Sequence, residues 1–345
     1  MDTLRKQISR RPTTDVVLIQ PDGVFTAGDL LSLADAAMAR ALDDLQTPVT
    51  TLDLIVAMIA YDGVAEQLEI KPADNERGCL VSAVLGDVPC THFPTETRWI
   101  LWTSGTTGLP KRVDHSLRSL TSTTKRTTSH SEQLRWALLF SPARFAGLQV
   151  ILQALIGGGV LIATHLHDLS AALKFFVSHS ANAFSCTPSL WRKILMSPVA
   201  DTIQPHQITL GGEIADQAII DTLVRRFPTS RITHIYASTE AGVGFAVHDR
   251  KAGFPRDYLD TSAGHGVRLR VLDDGSLGIH SDRSGRLETS AGETPVSNDH
   301  YIDSGDLVRI VGDRVLFLGR KNRSINVGGN KVMPEAVEAV LLQHD

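Results

Sequence analysis

Short apolar runs alternate along this chain with segments whose apolar positions recur at helical spacing. Trp99–Trp102, Trp136–Phe140, Val160–Ala163, Ala183–Cys186 and Ile232–Tyr236 read as strands. Between them, Ser170–Ser178 (SAALKFFVS) and Asp216–Phe227 (DQAIIDTLVRRF) read as amphipathic helices. Strand–helix alternation of this kind predicts an α/β fold with layered sheets covered on both faces. The most apolar stretch, Phe145–Ala163, approaches the length of a membrane span. Gln149 and Gln153 interrupt it and Gly157-Gly158-Gly159 breaks it, so it reads as a buried helix, a glycine turn and a buried strand.

The texture changes near Pro255. VRLRVLDDGSLGIHS, GRLETSAGE and LVRIVGDRVLFLG are short alternating runs, and Asp274-Gly275 and Gly312-Asp313 sit between runs as hairpin turns do. This predicts a small β-rich subdomain over about 255–319, completing a large domain over 1–319. A charged stretch, Arg320–Arg323, then opens a segment 320–345 that is expected to be loose from about Arg320. Pro334-Glu335 has the composition of a helix N-terminus. That helix has barely begun at Asp345, so 320–345 reads as a hinge and the start of a truncated small domain.

Composition narrows the function classes. The 345 residues are 42% hydrophobic with a net charge of -4, which provides no broad basic field for nucleic acid. Cys79, Cys90 and Cys186 have no CxxC spacing, which argues against a disulfide framework or a zinc site. The N-terminus, MDTLRKQISRRP, has basic residues with no apolar core behind them and is not a signal peptide. A cytoplasmic protein without a membrane span is the expectation.

The strongest chemical signal is TSGTTGLPK, Thr103–Lys111, directly after a predicted strand. Gly105 and Gly108 let the backbone turn tightly and approach a ligand. Thr103, Ser104, Thr106 and Thr107 supply hydroxyls and Lys111 a charge, a set suited to wrapping a triphosphate. It is not a Walker A loop, because Pro110 precedes the lysine and Arg112 follows it.

This segment resembles the phosphate loop of the AMP-forming synthetase superfamily, which includes acyl-CoA synthetases, peptide-synthetase adenylation domains and luciferases. Further segments resemble that family's motifs in the family's order. They are Val113–Ser116, Leu210–Glu213 (LGGE), Tyr236–Glu240 (YASTE), Asp303–Asp306 (DSGD), Gly319-Arg320 and Asn326–Val332 with Pro334. The resemblance spans nearly the whole chain and is nearer to acyl-CoA synthetases than to peptide-synthetase domains. It implies activation of an aryl or acyl carboxylic acid by ATP to acyl-AMP and pyrophosphate. Transfer would follow to CoA, a carrier-protein thiol or an amine.

The resemblance also implies roles. Gly211, Gly212 and Glu213 would lie beside the adenine, and Tyr236 would offer it a flat face, with Ala237 and Ser238 alongside. Asp306 would accept both ribose hydroxyls, since one carboxylate can take several hydrogen bonds. Arg320 would reach the ribose or a phosphate. Glu240, aided by Thr107 or Thr239, would hold magnesium, which prefers a few hard oxygen ligands together with phosphate oxygens. Thr239, Glu240 and Lys111 would act on the reacting phosphates. Arg144, Phe145, Gly147, Leu148 and Ser238 would line the acid pocket, with Arg144 a candidate partner for a second polar or anionic group.

The chain also departs from the family pattern. The region from Leu45 to Trp99 is short. Ser141–Leu148 lacks the aromatic–histidine element and the aspartate that peptide-synthetase domains use for an α-amino group, which disfavours an α-amino acid substrate. Lys321 and Asn322 stand at the hinge after Gly319-Arg320, where the family mostly has Asp or Lys one place further on. The segment bearing the family's catalytic lysine is missing. A nucleotide- or acyl-adenylate-binding protein without independent turnover is therefore the alternative reading.

Overall fold

The computed structural model describes residues 2–39, 49–73, 79–85, 96–103, 111–126, 133–165, 168–259, 267–281, 286–289, 292–293, 301–323, 325–327, 330–334 and 337. The chain begins α1 (Leu4–Ile8), β1 (Val16–Gln20), β2 (Gly23–Thr26), α2 (Ala27–Ala39), α3 (Thr51–Tyr61), β3 (Gln67–Pro72) and β4 (Cys79–Val84). It continues with β5 (Arg98–Thr103), β6 (Lys111–His115), α4 (Leu117–Thr121), β7 (Arg135–Leu138), α5 (Phe145–Ile156), β8 (Val160–Ile162), α6 (Leu169–Ser178) and β9 (Ala183–Cys186). Next come α7 (Pro188–Leu195), β10 (Gln207–Leu210), α8 (Gln217–Arg226), β11 (Arg231–Ser238), β12 (Gly242–Val247) and β13 (Phe254–Pro255). The last elements are β14 (Val267–Val271), β15 (Ser276–Ser281), β16 (Arg286–Thr289), β17 (Gly292–Glu293), β18 (Ile302–Val311), β19 (Arg314–Arg320), β20 (Ile325–Val327) and β21 (Asn330–Val332). They form two compact units: residues 1–185, 193–207 and 285–294 in one, and 186–192, 208–284 and 295–345 in the other.

In the first unit, β7 pairs in parallel with both β8 and β9, β8 pairs in parallel with β1, and β2 adds an antiparallel hairpin edge. Parallel strands need covered faces, and β8 is buried along its whole length. Helix α5 is apolar nearly all round, with Phe145, Leu148, Val150, Ile151, Leu152 and Leu155 buried. A helix of that composition belongs inside a protein or a membrane. Here it ends at Gly157 and feeds β8, as the sequence predicts, and no described helix is long and apolar enough to cross a membrane.

A second sheet of this unit has the order β17-β16-β6-β5-β3-β4. At its base lies a buried carboxylate. Asp62 accepts from the Leu4 backbone N–H at 2.7 Å and from Trp99 Nε1 at 3.0 Å, tying α1 and β5 to the end of α3. Burial raises the Asp62 carboxyl above the ordinary range, opposed by these two donors.

The second unit contains β10, β11 and β12, then a five-stranded antiparallel sheet in the order β13-β19-β18-β15-β14. Its core is Ala241, Phe245, Val247, Phe254, Val267, Leu269, Leu277, Ile279, Val308 and Val315, with Tyr236 and Phe317 packed against it. The predicted hairpin turns are present, with Gly275 at φ +81° between β14 and β15 and Gly312 at φ +59° between β18 and β19.

Two expectations fail. GRLETSAGE does not join the β-rich sheet: β16 pairs with β6 of the first unit, Leu287 opposite Val113. Local alternation marks a strand but carries no information about its partner. The segment after Arg320 is not simply loose. Lys321 forms an ion pair with Asp274 and lies 3.7 Å from Asp303, β20 and β21 form a hairpin, and a turn starts where Val337 N–H reaches the Met333 carbonyl at 3.3 Å.

Candidate functional site

The phosphate-loop motif lies between two antiparallel strands, with Thr103 of β5 paired to Lys111 of β6. A strand–loop–strand setting differs from the strand–loop–helix of a Walker A loop. Ser104, Gly105, Thr106, Thr107 and Gly108 fall outside the described residues. At the root of the loop the Thr103 side chain is buried, and its Oγ1 has no hydrogen-bond partner among the described residues. A buried hydroxyl without a partner is costly unless a ligand satisfies it. Lys111 is exposed. After the strand, Ser116 caps α4, its side chain accepting from the Ser119 N–H.

The predicted acid-pocket segment belongs to the same unit. Phe145 and Leu148 are buried, and the Phe145 ring lies 5.7 Å from the ring of buried His115. Gly147 is required by a close crossing: a Cβ there would lie 2.0 Å from the Ser141 carbonyl oxygen. Arg144 occupies the N-cap position of α5 without a side-chain capping bond.

The remaining predicted residues belong to the second unit, and the structure brings several of them together. Asp306 exposes 7% of its surface. It stands directly opposite Arg320 in the β18–β19 register, and Arg320 Nε donates to its Oδ1 at 3.0 Å. The Tyr236 hydroxyl, arriving from β11, donates to its Oδ2 at 2.5 Å. The approach to Asp306 is shaped locally: Gly305 sits at φ +72°, its N–H donates to Asp303 Oδ1 at 2.8 Å, and the Asp306 N–H donates to Ser304 Oγ at 3.1 Å. These Asp and Ser side-chain turns are the physical content of the DSGD pattern.

Tyr236 is partly buried, and two aromatic rings pack against it: Phe245 stacks at 5.3 Å and 12°, and Phe317 at 5.1 Å and 13°. A register shift between Tyr236 and Ala237 makes β12 bulge there. Gly244 accommodates this, since a Cβ on it would lie 3.3 Å from Tyr236 Cδ1. Burial first, then the Asp306 charge, push the Tyr236 phenol well above its ordinary range, so it remains a proton donor. Phe245, Phe317 and Gly244 are the site residues that sequence reading missed. The apolar alternation of GVGFAV and the aromatic in LFLGR were the available signals.

Ser238, Thr239 and Glu240 form the short turn from β11 into β12, where Ser238 Oγ accepts from the Ala241 N–H at 3.0 Å. Glu240 is half-buried, and its carboxylate makes no hydrogen bond or ion pair among the described residues. At the other glycine motif, Gly212 has φ +80°. Glu213 is already engaged: its Oε2 accepts from the Ser189 N–H at 3.0 Å, at the start of α7. Ala237 is half-buried on β11.

A family model described as AMP-binding enzyme matches residues 17–288. A probable 2-succinylbenzoate–CoA ligase of Mycobacterium tuberculosis is 29% identical over 269 residues, covering 71% of this chain and 63% of the relative. The chain thus spans less than two thirds of the length of that relative. Among solved structures, an anthranilate CoA ligase in complex with anthranoyl-AMP superposes with a TM-score of 0.74 at 13% identity, covering 99% of this chain and 81% of the other. The o-succinylbenzoate coenzyme A synthetase from Bacillus subtilis, in complex with ATP and magnesium ion, gives 0.70 at 15% identity, covering 100% and 85%. These likenesses establish the fold, and the family match extends over most of the ordered motifs, from the phosphate loop to YASTE. On that match, the chain belongs to the AMP-binding enzyme family.

Proposed function

We propose that this protein activates an aryl or acyl carboxylic acid with ATP, forming acyl-AMP and pyrophosphate, and that the acyl group then passes to the thiol of CoA or of a carrier protein. The observation that carries the reading is Asp306: a buried carboxylate held by Tyr236 and Arg320, with acceptor capacity left over. A pair of vicinal ribose hydroxyls is the ligand group such an acceptor suits. The names of the relatives, ligases and a synthetase, favour turnover over binding alone.

In this reaction a carboxylate oxygen bonds to the α-phosphorus, the α–β phosphoanhydride bond breaks, and pyrophosphate leaves with the electron pair. Positioning and charge neutralisation account for most of such catalysis. Asp306 and Arg320 are assigned the nucleoside, with Gly211, Gly212 and the residues from Tyr236 to Thr239 around it. Thr103 and its loop, with Lys111, are assigned the phosphates. Glu240, a half-buried carboxylate without a partner among the described residues, fits a magnesium ligand, alongside Thr107. Bound magnesium would neutralise charge on the phosphate oxygens. Arg144, Phe145, Gly147, Leu148 and Ser238 are assigned the acid. A cytoplasmic setting belongs to the same proposal and is supported by the free, buried thiols of Cys79 and Cys186.

The test is pyrophosphate–ATP exchange with a panel of aryl and medium-chain acids. Exchange that depends on one class of acid supports the reading. Tight AMP binding with no exchange for any acid, in this chain and in any longer product of its gene, would reject turnover.

A further inference from the structure

We propose that the Tyr236 hydroxyl is a positioning group for nucleoside binding: it fixes the Asp306 carboxylate so that the ribose diol meets an acceptor of set orientation. The inference rests on the nucleoside role assigned to Asp306 and adds to it a role for the Tyr236 hydroxyl.

The geometry has three parts. First, the partly buried ring is packed: Phe245 and Phe317 stack against it at 5.3 Å and 5.1 Å, both within 13° of parallel, and a Cβ on Gly244 would lie 3.3 Å from its Cδ1. Second, the hydroxyl and Arg320 act on different oxygens of Asp306, at 2.5 Å on Oδ2 and 3.0 Å on Oδ1. The terminal torsion of an aspartate is broad and roughly two-fold, and donors on both oxygens remove that freedom. Third, acceptor capacity remains, because a carboxylate offers about four lone-pair sites and two are used. An acceptor fixed before binding does not lose orientational freedom when the ligand arrives, which raises affinity without a new contact.

A phenylalanine would fill the same space beside Phe245 and Phe317. The phenol adds a donor on the Asp306 oxygen that Arg320 does not reach, and Ser304 is its other partner.

The experiment compares AMP with 2′,3′-dideoxy-AMP by titration calorimetry on the wild type, Tyr236→Phe, Asp306→Asn and the double variant. The wild type should prefer AMP. Tyr236→Phe should weaken AMP about five- to tenfold, as expected for one lost hydrogen bond acting on a charged group, and leave dideoxy-AMP unchanged. In the Asp306→Asn background the same substitution should cause no further loss. Equal weakening of both nucleotides, or the same loss without the carboxylate, would overturn the proposal, since a packing defect behaves that way. A wild type that prefers AMP together with a Tyr236→Phe variant that prefers it equally would reject the hydroxyl's role alone. A wild type indifferent to the ribose hydroxyls would reject the nucleoside role of Asp306, and this proposal with it. Thermal unfolding reports whether Tyr236→Phe is folded. If it is not, replacing Tyr236 by p-aminophenylalanine keeps the ring with a weaker donor; a smaller loss confined to AMP is expected, and a loss shared by dideoxy-AMP would overturn the proposal.

Discussion

Replacing Asp306 by alanine separates a folding cost from a binding cost, and the structure sets the size of each. In the folded protein the carboxylate accepts from the Tyr236 hydroxyl and from Arg320 Nε. Removing it takes away the phenol's charged acceptor and leaves it only the Ser304 side chain, a cost of about 1–3 kcal/mol. Arg320 loses less, because its side chain is 47% exposed and can turn to water. The variant should therefore unfold at a lower urea midpoint while remaining folded in buffer. The binding cost is separate. Asp306 is assigned both ribose hydroxyls, and a lost charged hydrogen bond is worth about 1.5–3 kcal/mol, partly recovered by water in the vacated space. We expect AMP to bind more weakly by about 1–3 kcal/mol, or roughly five- to 150-fold in Kd. Calorimetry on the folded variant, with circular dichroism at the same temperature, measures this directly. AMP affinity unchanged in a folded Asp306→Ala variant would refute the assignment, because no other described acidic group lies within bonding distance of Tyr236 and Arg320 to take its place.

Two further perturbations test the fold that carries the site. Gly147→Ala should destabilise the protein by about 1–3 kcal/mol: its Cβ would lie 2.0 Å from the Ser141 carbonyl oxygen, an overpacking that outweighs the helix propensity of alanine. A urea midpoint equal to or above wild type would show that the crossing relaxes freely. His234 supplies a pH dependence. Its Nε2 is buried without a partner, and burial lowers its pKa to about 4, opposed by the Asp249 charge and reinforced by Arg314. The folded state holds the ring neutral, so stability should be full above pH about 6.5 and fall as pH drops toward 4, where the unfolded chain alone takes the proton. The loss attributable to this residue is on the order of 3 kcal/mol. Urea titrations of wild type and His234→Gln at pH 7.5 and 4.5 measure it, and an identical pH dependence in the two would remove His234 as the cause.

Much of the architecture was legible because it depends on local pattern. The apolar run 145–163 could only be a buried helix and strand once three consecutive glycines broke it, and α5 and β8 follow. The hairpin turns at Gly275 and Gly312 follow from alternating runs flanking a residue free to take positive φ. The functional motifs were legible for a different reason. Glycine and hydroxyl residues at close spacing marked TSGTTGLPK as a candidate phosphate loop, whereas DSGD was marked only by its resemblance to a family motif. The partner of β16 was not legible, since pairing with β6 joins positions far apart in the sequence and any alternating strand offers the same edge.

Within the candidate site the division is sharper. Sequence alone marks Tyr236, Asp306 and Arg320 as a set, because each belongs to a recognisable motif and carries chemistry a nucleoside could use. It says nothing of how the three meet. The opposition of Asp306 and Arg320 comes from the β18–β19 register, and the bulge beside Tyr236 comes from the pairing of β11 with β12. The enclosure of the Tyr236 ring comes from Phe245 and Phe317, which periodicity marks only as core. A flat aromatic looks in sequence like a surface for adenine. Packing sets Phe245 and Phe317 against the ring and its hydroxyl on Asp306, because the surroundings of a ring are decided by every element that reaches it and not by the strand that bears it.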